Sequence, residues 1–273
     1  MNKPNIGIVG YGVVGKSQHS LFGSDAYTLD VDAKSEDHAI INACKYVFVC
    51  VPTPVDASGA CDTSIVEHCV DWIEADYIIL RSTVAPGTTQ RLRERTGKRI
   101  VFQPEYIGET ASHPLADIRT HNFLILGGES EDTSAVANLY KRYYHSEVRF
   151  YFTDSLTAET AKYMENSFYA AKVTFCNEFF SIAEAFGVDY NELREIWLAD
   201  PRISRDHTFV FPDNRGFSGK CLPKDVSAII RAASDHGCSA SLMERIMEIN
   251  EQYRQDDPTY EPYRRRNREC PSR

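Results

Sequence analysis

The run Gly216-Phe217-Ser218-Gly219-Lys220-Cys221-Leu222-Pro223-Lys224-Asp225 places a thiol where it could act as a nucleophile. Glycines on one side of Cys221, a proline on the other and two flanking lysines describe a tight turn in positive potential, the setting that lowers a cysteine pKa. A buried structural cysteine is the alternative for any one of the eight in the chain, yet packing alone does not call for Gly, Lys and Asp around a sulfur. Lys162 and Asn166, four residues apart, share a face if that stretch is helical and could aim two donors at one oxygen, as a developing oxyanion requires. The same spacing also suits a solvated helix face. Lys172, Asn177 and Glu178 continue that polar side, with structural or subunit-contact roles. Glu105 and Glu109, in Gln103-Pro104-Glu105-Tyr106-Ile107-Gly108-Glu109, could offer carboxylates to the same cleft, although surface carboxylates are common.

A second kind of chemistry is written near the amino terminus. Asn5-Ile6-Gly7-Ile8-Val9 reads as a short apolar strand running into Gly10-Tyr11-Gly12-Val13-Val14-Gly15, which fits GxGxxG. Gly10 permits the turn, Gly12 lets the backbone approach a pyrophosphate, Gly15 lets the helix pack on the strand, and the helix N-terminus faces the phosphates. Asp30 follows about 20 residues after Gly10, at the end of a second strand within 27–32, where a carboxylate would bind ribose hydroxyls and disfavour a 2′-phosphate. The pattern predicts NAD rather than NADP, with Gly10, Gly12, Val13, Val14, Gly15 and Asp30 around it. A glycine turn that binds nothing is the bland alternative.

The elements that must position these groups alternate between strand and helix through the first half, which predicts a Rossmann-like doubly wound parallel sheet. Strands are expected at 45–51, 77–80, 99–102, 121–126 and 147–151, with a helix over 134–143. The turn Pro52-Thr53-Pro54 and the loop Ser82-Thr83-Val84-Ala85-Pro86-Gly87-Thr88-Thr89 leave the carboxyl ends of strands, where open α/β sheets bind ligands. After about residue 152 the pattern becomes helical, with helices expected over 157–186 and 240–255. The expected organisation is an NAD-binding domain over 1–152, an all-helical central and dimerisation domain over 153–255, and a polar tail over 256–273 expected to be disordered.

Composition fits a soluble cytoplasmic enzyme. The 273 residues carry a net charge of −9, which disfavours general nucleic-acid binding; the basic cluster Arg264-Arg265-Arg266 with Arg268 lies in the tail. No stretch is long and apolar enough to span a bilayer, and the amino terminus lacks a signal-peptide pattern. The cysteines form no CxxC pair and the histidines no HExxH motif, so neither a metal site nor a disulfide framework is indicated.

Taken together, GYGVVG, VPTP, STVAPGTT, QPEYIGE, AETAKYMENSF and GFSGKCLPKD, in that order, resemble the UDP-glucose/GDP-mannose dehydrogenase family. The resemblance implies NAD-dependent four-electron oxidation of a nucleotide-sugar alcohol to a carboxylate, with UDP-glucose the foremost substrate and a homodimer built on the central helix. It implies Cys221 as nucleophile, Lys162 and Asn166 as oxyanion donors, Glu105 as the base for thioester hydrolysis, and Thr83 and Asp225 as residues that order the catalytic water. It also implies Pro52, Thr53, Thr83 and Glu109 near the cofactor, and Glu105, Tyr106, Ile107, Lys162, Asn166, Arg202, Gly216 and Gly219 near the sugar. Arg202 resembles the arginine that family dimers extend toward the neighbouring subunit's site.

Three departures stand out. Family members carry a third, Rossmann-like domain that has no counterpart here; the stretch between Asp32 and Asn42 is short; and Ser218 replaces a glycine usual in the cysteine loop. GDP-mannose and UDP-N-acetylmannosamine remain open as substrates, because Cys-Leu-Pro-Lys-Asp occurs in both the glucose and mannose branches. A two-electron β-hydroxyacid-type dehydrogenase and a non-catalytic nucleotide-binding remnant are the two readings from other classes.

Overall fold

A computed structural model describes residues 5–30, 38–108 and 115–255. The chain divides into two compact units, Met1–Pro54 with Asp62–Lys162, and Val55–Cys61 with Tyr163–Arg273.

The first unit is built on seven strands: β1 (Ile6–Val9), β2 (Ala26–Leu29), β3 (Tyr46–Val49), β4 (Tyr77–Leu80), β5 (Ile100–Phe102), β6 (Phe123–Gly127) and β7 (Arg149–Thr153). β1, β3, β4 and β5 are unbroken apolar runs buried along their whole length, as strands covered on both faces must be. Their alternating side chains feed two cores. Ile6, Ile8, Phe48 and Ile79 pack with Leu21 and Phe22 of α1 (Val13–Phe22) and with Val136, Leu139 and Tyr140 of α5 (Ser130–Tyr140). Val9, Val47, Val49, Ile78 and Leu80 pack with Ile41 of α2 (His38–Asn42), Val66 and Val70 of α3 (Ser64–Trp72) and Leu92 of α4 (Thr88–Thr96). Each fully buried aliphatic or aromatic side chain here contributes roughly 1.5–3 kcal/mol. The short stretch before Asn42 thus still closes in a helix, the five-residue α2.

The strand order is β2-β1-β3-β4-β5-β6-β7. β1 to β5 run parallel, whereas β6 meets β5 antiparallel through Phe102 and Gly127 and carries β7 parallel to itself. The expectation of a wholly parallel sheet therefore holds for five strands and is corrected for two. Between β5 and β6 the described residues include a 3₁₀ turn, Ile118–Thr120, and β6 runs in the opposite direction to β5. β2 and β3 flank β1 on opposite sides, which puts the loops after β1 and β3 at the switch point where open α/β sheets receive ligands.

The second unit is helical, with α6 (Ser155–Phe186), α7 (Tyr190–Trp197), α8 (Leu222–Asp235) and α9 (Ser241–Arg254). Ala170, Phe217, Val226, Ile230, Ile246 and Met247 form its main core. The division between units falls inside α6, ten residues beyond the expected boundary at 152. The reason is packing: Ala158 is part of the sheet's core, and a Cβ on Gly127 would lie 2.5 Å from the Ala158 methyl, so the start of α6 is pressed against the end of β6. The segment Val55–Cys61 joins the helical unit, where Ser227 Oγ donates to the Gly59 carbonyl at 2.9 Å. Among the described residues no helix is long and apolar enough to cross a membrane.

Candidate active site

At the switch point, each motif glycine has a separate physical reason. Gly10 adopts φ +91°, and a Cβ there would lie 2.6 Å from the Cys50 carbonyl oxygen. A Cβ on Gly15 would lie 1.9 Å from the Gly10 oxygen, so the helix could not approach the turn. Gly12 differs: a Cβ there would meet nothing within 4 Å, and no side chain caps the first turn of α1. Bare N–H groups at a helix start, fronted by open space at a glycine, fit a dinucleotide pyrophosphate. The Gly10 N–H donates to Leu29 O at 2.8 Å, which brings the next residue, exposed Asp30, beside the turn. Val13 and Val14 open α1. Pro52 is exposed, and buried Thr53 donates its hydroxyl to the Thr83 carbonyl at 2.7 Å, stitching the two strand-end loops together. Glu109 and Asp32 lie outside the described residues, as does the basic tail.

The rest of the first unit's polar machinery sits on β4, β5 and the first turns of α6. Arg81, 3% exposed, donates to the carbonyls of Gln103 and Pro104 at 3.2 and 3.1 Å and forms an ion pair with Glu105. The second Glu105 oxygen accepts the Ile107 N–H, so the carboxylate is gripped from two sides and Tyr106 is held at the crest of a turn. Burial works against the Arg81 charge, but Glu105 together with Tyr140, Cys50 and Tyr144 outweighs it and holds the guanidinium above its ordinary range. Lys162, almost buried, lays its ammonium 4.8 Å from the Tyr106 ring centre. Glu105, Tyr106 and Lys162, expected near the reacting sugar, are therefore neighbours; Ile107 is half-buried beside them.

The second unit carries the thiol. Cys221 is exposed at the N-cap position of α8, with Pro223 in the first turn. Lys220 precedes Cys221 and Lys224 lies in the first turn of the helix. One turn into the helix, Asp225 is 2% exposed and accepts from Asn166 Nδ2 and from the Lys224 ammonium, which brings Asn166 and Asp225 together. Gly216 and Gly219 adopt φ +77° and +82°, conformations that favour glycine. The loop is fastened from two helices. Asn250 of α9, fully buried, accepts the Phe217 N–H at 2.7 Å and donates to the Phe217 carbonyl at 2.9 Å. Asn177 of α6 accepts the Gly216 N–H at 3.1 Å. Cys44, Cys50, Cys61, Cys69 and Cys176 are buried, and burial pushes the Cys50 and Cys69 thiols up to about 12 and about 11. Arg202, 87% exposed, forms a forked pair with Asp200 of its own loop.

Three residues escaped the sequence reading. Arg81 touches Glu105 across 24 positions, Asn250 holds the loop across 33, and Glu159 reaches the start of α4 across 70 or more. The Glu159 carboxylate, fully buried, accepts the Gly87 N–H at 2.6 Å, the Thr89 N–H at 2.8 Å and the Thr89 hydroxyl at 2.6 Å. The only trace of it in the sequence is a helix start at Thr88 with no local capping side chain, since Gly87 precedes it. Among the described residues no group of histidine, cysteine and acidic side chains could hold a metal ion.

Comparison with known proteins places the change of domain earlier on the chain than the packing does, between residues 144 and 156. Residues 25–144 match the NAD-binding domain of the UDP-glucose/GDP-mannose dehydrogenase family, and residues 156–252 match its central domain. The chain is 31% identical over 225 residues to GDP-mannose 6-dehydrogenase of Azotobacter vinelandii, covering 74% of this chain and 50% of that protein. It is 28% identical over 217 residues to UDP-glucose 6-dehydrogenase of Pseudomonas aeruginosa, covering 73% and 47%. The chain thus spans about half the length of these curated relatives. A solved UDP-glucose dehydrogenase from the archaeon Pyrobaculum islandicum shares the fold, with a TM-score of 0.79 at 24% identity over 90% of this chain and 68% of that one.

Proposed function

The chain belongs to the UDP-glucose/GDP-mannose dehydrogenase family, and from that premise we propose that it oxidises the primary alcohol of a nucleotide sugar, UDP-glucose foremost, to the carboxylate. The observation that carries the reading is the exposed Cys221 at the start of α8, one turn from an Asp225 already engaged by Asn166 and Lys224. NAD, which Gly10, Gly12, Gly15 and Asp30 would hold, would supply the hydride acceptor, one molecule for each of two stages.

In the first stage the alcohol proton passes to a water held by Thr83, Lys162 and Asp225, and the carbon becomes an aldehyde. The Cys221 thiolate adds to that aldehyde, giving a thiohemiacetal that again bears a hydrogen on an oxygen-bearing carbon. Its oxidation leaves a thioester on Cys221. Water activated by Glu105 cleaves the thioester, while Lys162 and Asn166 donate to the tetrahedral oxyanion; loss of one such donor costs about 10²–10³ in rate. Glu105 enters this step with Arg81 and the Ile107 N–H fixing its orientation, takes the proton of the attacking water, and Cys221 leaves as the thiolate. Gly216, Gly219, Tyr106, Ile107 and, from a neighbouring subunit, Arg202 contact the sugar nucleotide.

A homodimer through the central helix is part of the same proposal. Met164, Phe168, Phe175, Phe179 and Phe186 are exposed along α6, an apolar stripe of the kind that marks an interaction surface. The deciding experiment incubates the protein with NAD and UDP-glucose, GDP-mannose or UDP-N-acetylmannosamine and counts NADH formed per sugar consumed. Two per sugar is the expected result; one would identify a two-electron dehydrogenase, and none with any sugar would remove the proposal.

A further inference from the structure

We propose that Glu159 is a positioning residue that fixes the loop carrying Thr83 against the turn of α6 carrying Lys162. No reaction step above uses Glu159, yet it is a fully buried carboxylate. Its partners are Gly87 and Thr89, the last residue of the loop after β4 and the second residue of α4. Thr83 lies earlier in the same loop, where its carbonyl receives the Thr53 hydroxyl. Lys162 lies three residues beyond Glu159 on the helix, less than one turn away.

A simple helix cap would come from the residue before the helix, as Asp189 caps α7 by accepting the Glu192 N–H at 2.9 Å. Here Gly87 occupies the capping position with φ +91° and has no side chain to offer, and the acceptor arrives from another helix. Both oxygens are used: one takes the Gly87 N–H, the other takes the Thr89 N–H and hydroxyl. Three donors converging on one carboxylate leave the loop a single position relative to α6. Independent contacts hold the same part of α6, since Ala158 is buried in the sheet's core and lies so close to Gly127 that a Cβ there would come within 2.5 Å of its methyl. The loop, the first turns of α6 and the sheet therefore form one body, and the Lys162 ammonium is delivered to Tyr106 from it. Aspartate at 159 would keep the acceptors but fall a methylene short; glutamine would turn an amide against an N–H donor.

The inference rests on the proposed roles of Thr83 and Lys162, and two kinds of readout keep the two ideas apart. In the free protein, Glu159→Gln is expected to raise amide hydrogen exchange across 82–89 at least about tenfold and to change the labelling rate of Lys162 by an amine-reactive ester at least about threefold. In the active protein, kcat should fall at least about thirtyfold while the KM for NAD stays within about threefold, because the glycine turn is untouched. Glu159→Asp should restore part of each effect, and Thr89→Val should produce the same changes at smaller size; these two carry the test if the glutamine variant does not fold. Raised exchange with Lys162 labelling and kcat unchanged would reduce Glu159 to a cap and overturn the inference, as would unchanged exchange. Altered exchange and labelling in a protein that forms no NADH with any sugar would uphold the fastening and sink the proposed reaction instead.

Discussion

The start of α4 and the start of α8 are alike in backbone and opposite in use. Both follow turns in which glycine takes a positive φ, Gly87 in one and Gly219 in the other, and both present the positive end of a helix. At α4 the orphan N–H groups are consumed by a fully buried carboxylate, Glu159, and the end is inert. At α8 the capping position belongs to an exposed sulfur, Cys221, which makes no side-chain cap bond to the helix. A helix end is thus a structural joint or a reactive site according to what fills it, and the filler comes from far away in sequence.

The most direct way to break the contrast is to remove the sulfur. Cys221→Ser should fold normally and lower carboxylate formation by about 10³-fold or more, measured as product per NADH; carboxylate production at near wild-type rate would refute the nucleophile. Next comes the scaffold of the α8 end. Asn250→Ala strands the Phe217 N–H and carbonyl in a buried setting and should cost about 2–4 kcal/mol in urea unfolding, whereas Asn177→Ala, with one loop amide to lose beside its neighbours, should cost less.

A third helix start, at α1, sharpens the comparison because its capping residue, Gly12, has no side chain to offer. Gly15→Ala should destabilise the fold by about 1–3 kcal/mol, since its methyl would collide with the Gly10 carbonyl. Gly12→Ala should leave stability within about 0.5 kcal/mol and still weaken NAD binding about tenfold or more by calorimetry, because the space its methyl takes is free only when no pyrophosphate is present. The two ends of α8 give a smaller effect. Cys238, exposed beyond the C-terminus of the same helix, faces the negative end, so iodoacetamide at neutral pH should label Cys221 about tenfold faster than Cys238 and leave the five buried cysteines untouched. The smallest effect concerns the α4 end. Burial pushes the Glu159 carboxyl above its ordinary 4.5, against the hydrogen bonds from Thr89 and Gly87 that pull it down. A group that binds its proton more tightly when folded supports the fold fully below its unfolded value and loses that support as pH rises through the folded value. Stability of the wild type relative to Glu159→Gln should therefore decline as pH climbs from about 4.5; a rise across that window would contradict it.

What could be read in advance follows the range over which each signal acts. β3, β4 and β5 were legible because a run such as Tyr46–Val49 is apolar throughout, and the glycine turn because Gly10 and Gly15 each answer a close backbone contact while Gly12 completes the spacing. The cysteine loop was legible for the same local reason. The direction of β6 and β7 was not, because it depends on whether a crossover helix intervenes, and apolar runs carry no arrow. The packing of the first turns of α6 was not legible either: α6 is one continuous helical pattern, and its close approach to the end of β6 depends on the missing side chain at Gly127. Arg81, Glu159 and Asn250 were invisible because a buried polar residue announces itself through its partner, and theirs lie 24 to 72 positions away.

The Asn250 clamp bears on how the molecule would age. Only a primary amide can give and receive a hydrogen bond at once in the manner Phe217 requires. Spontaneous hydrolysis of that amide would leave an acid that can still accept but no longer give, and would set a negative charge in a fully enclosed spot. One such lesion, a single mass unit in size, would loosen the cysteine loop while leaving the sheet intact, so stored material would lose its reactive thiol geometry well before it lost its fold.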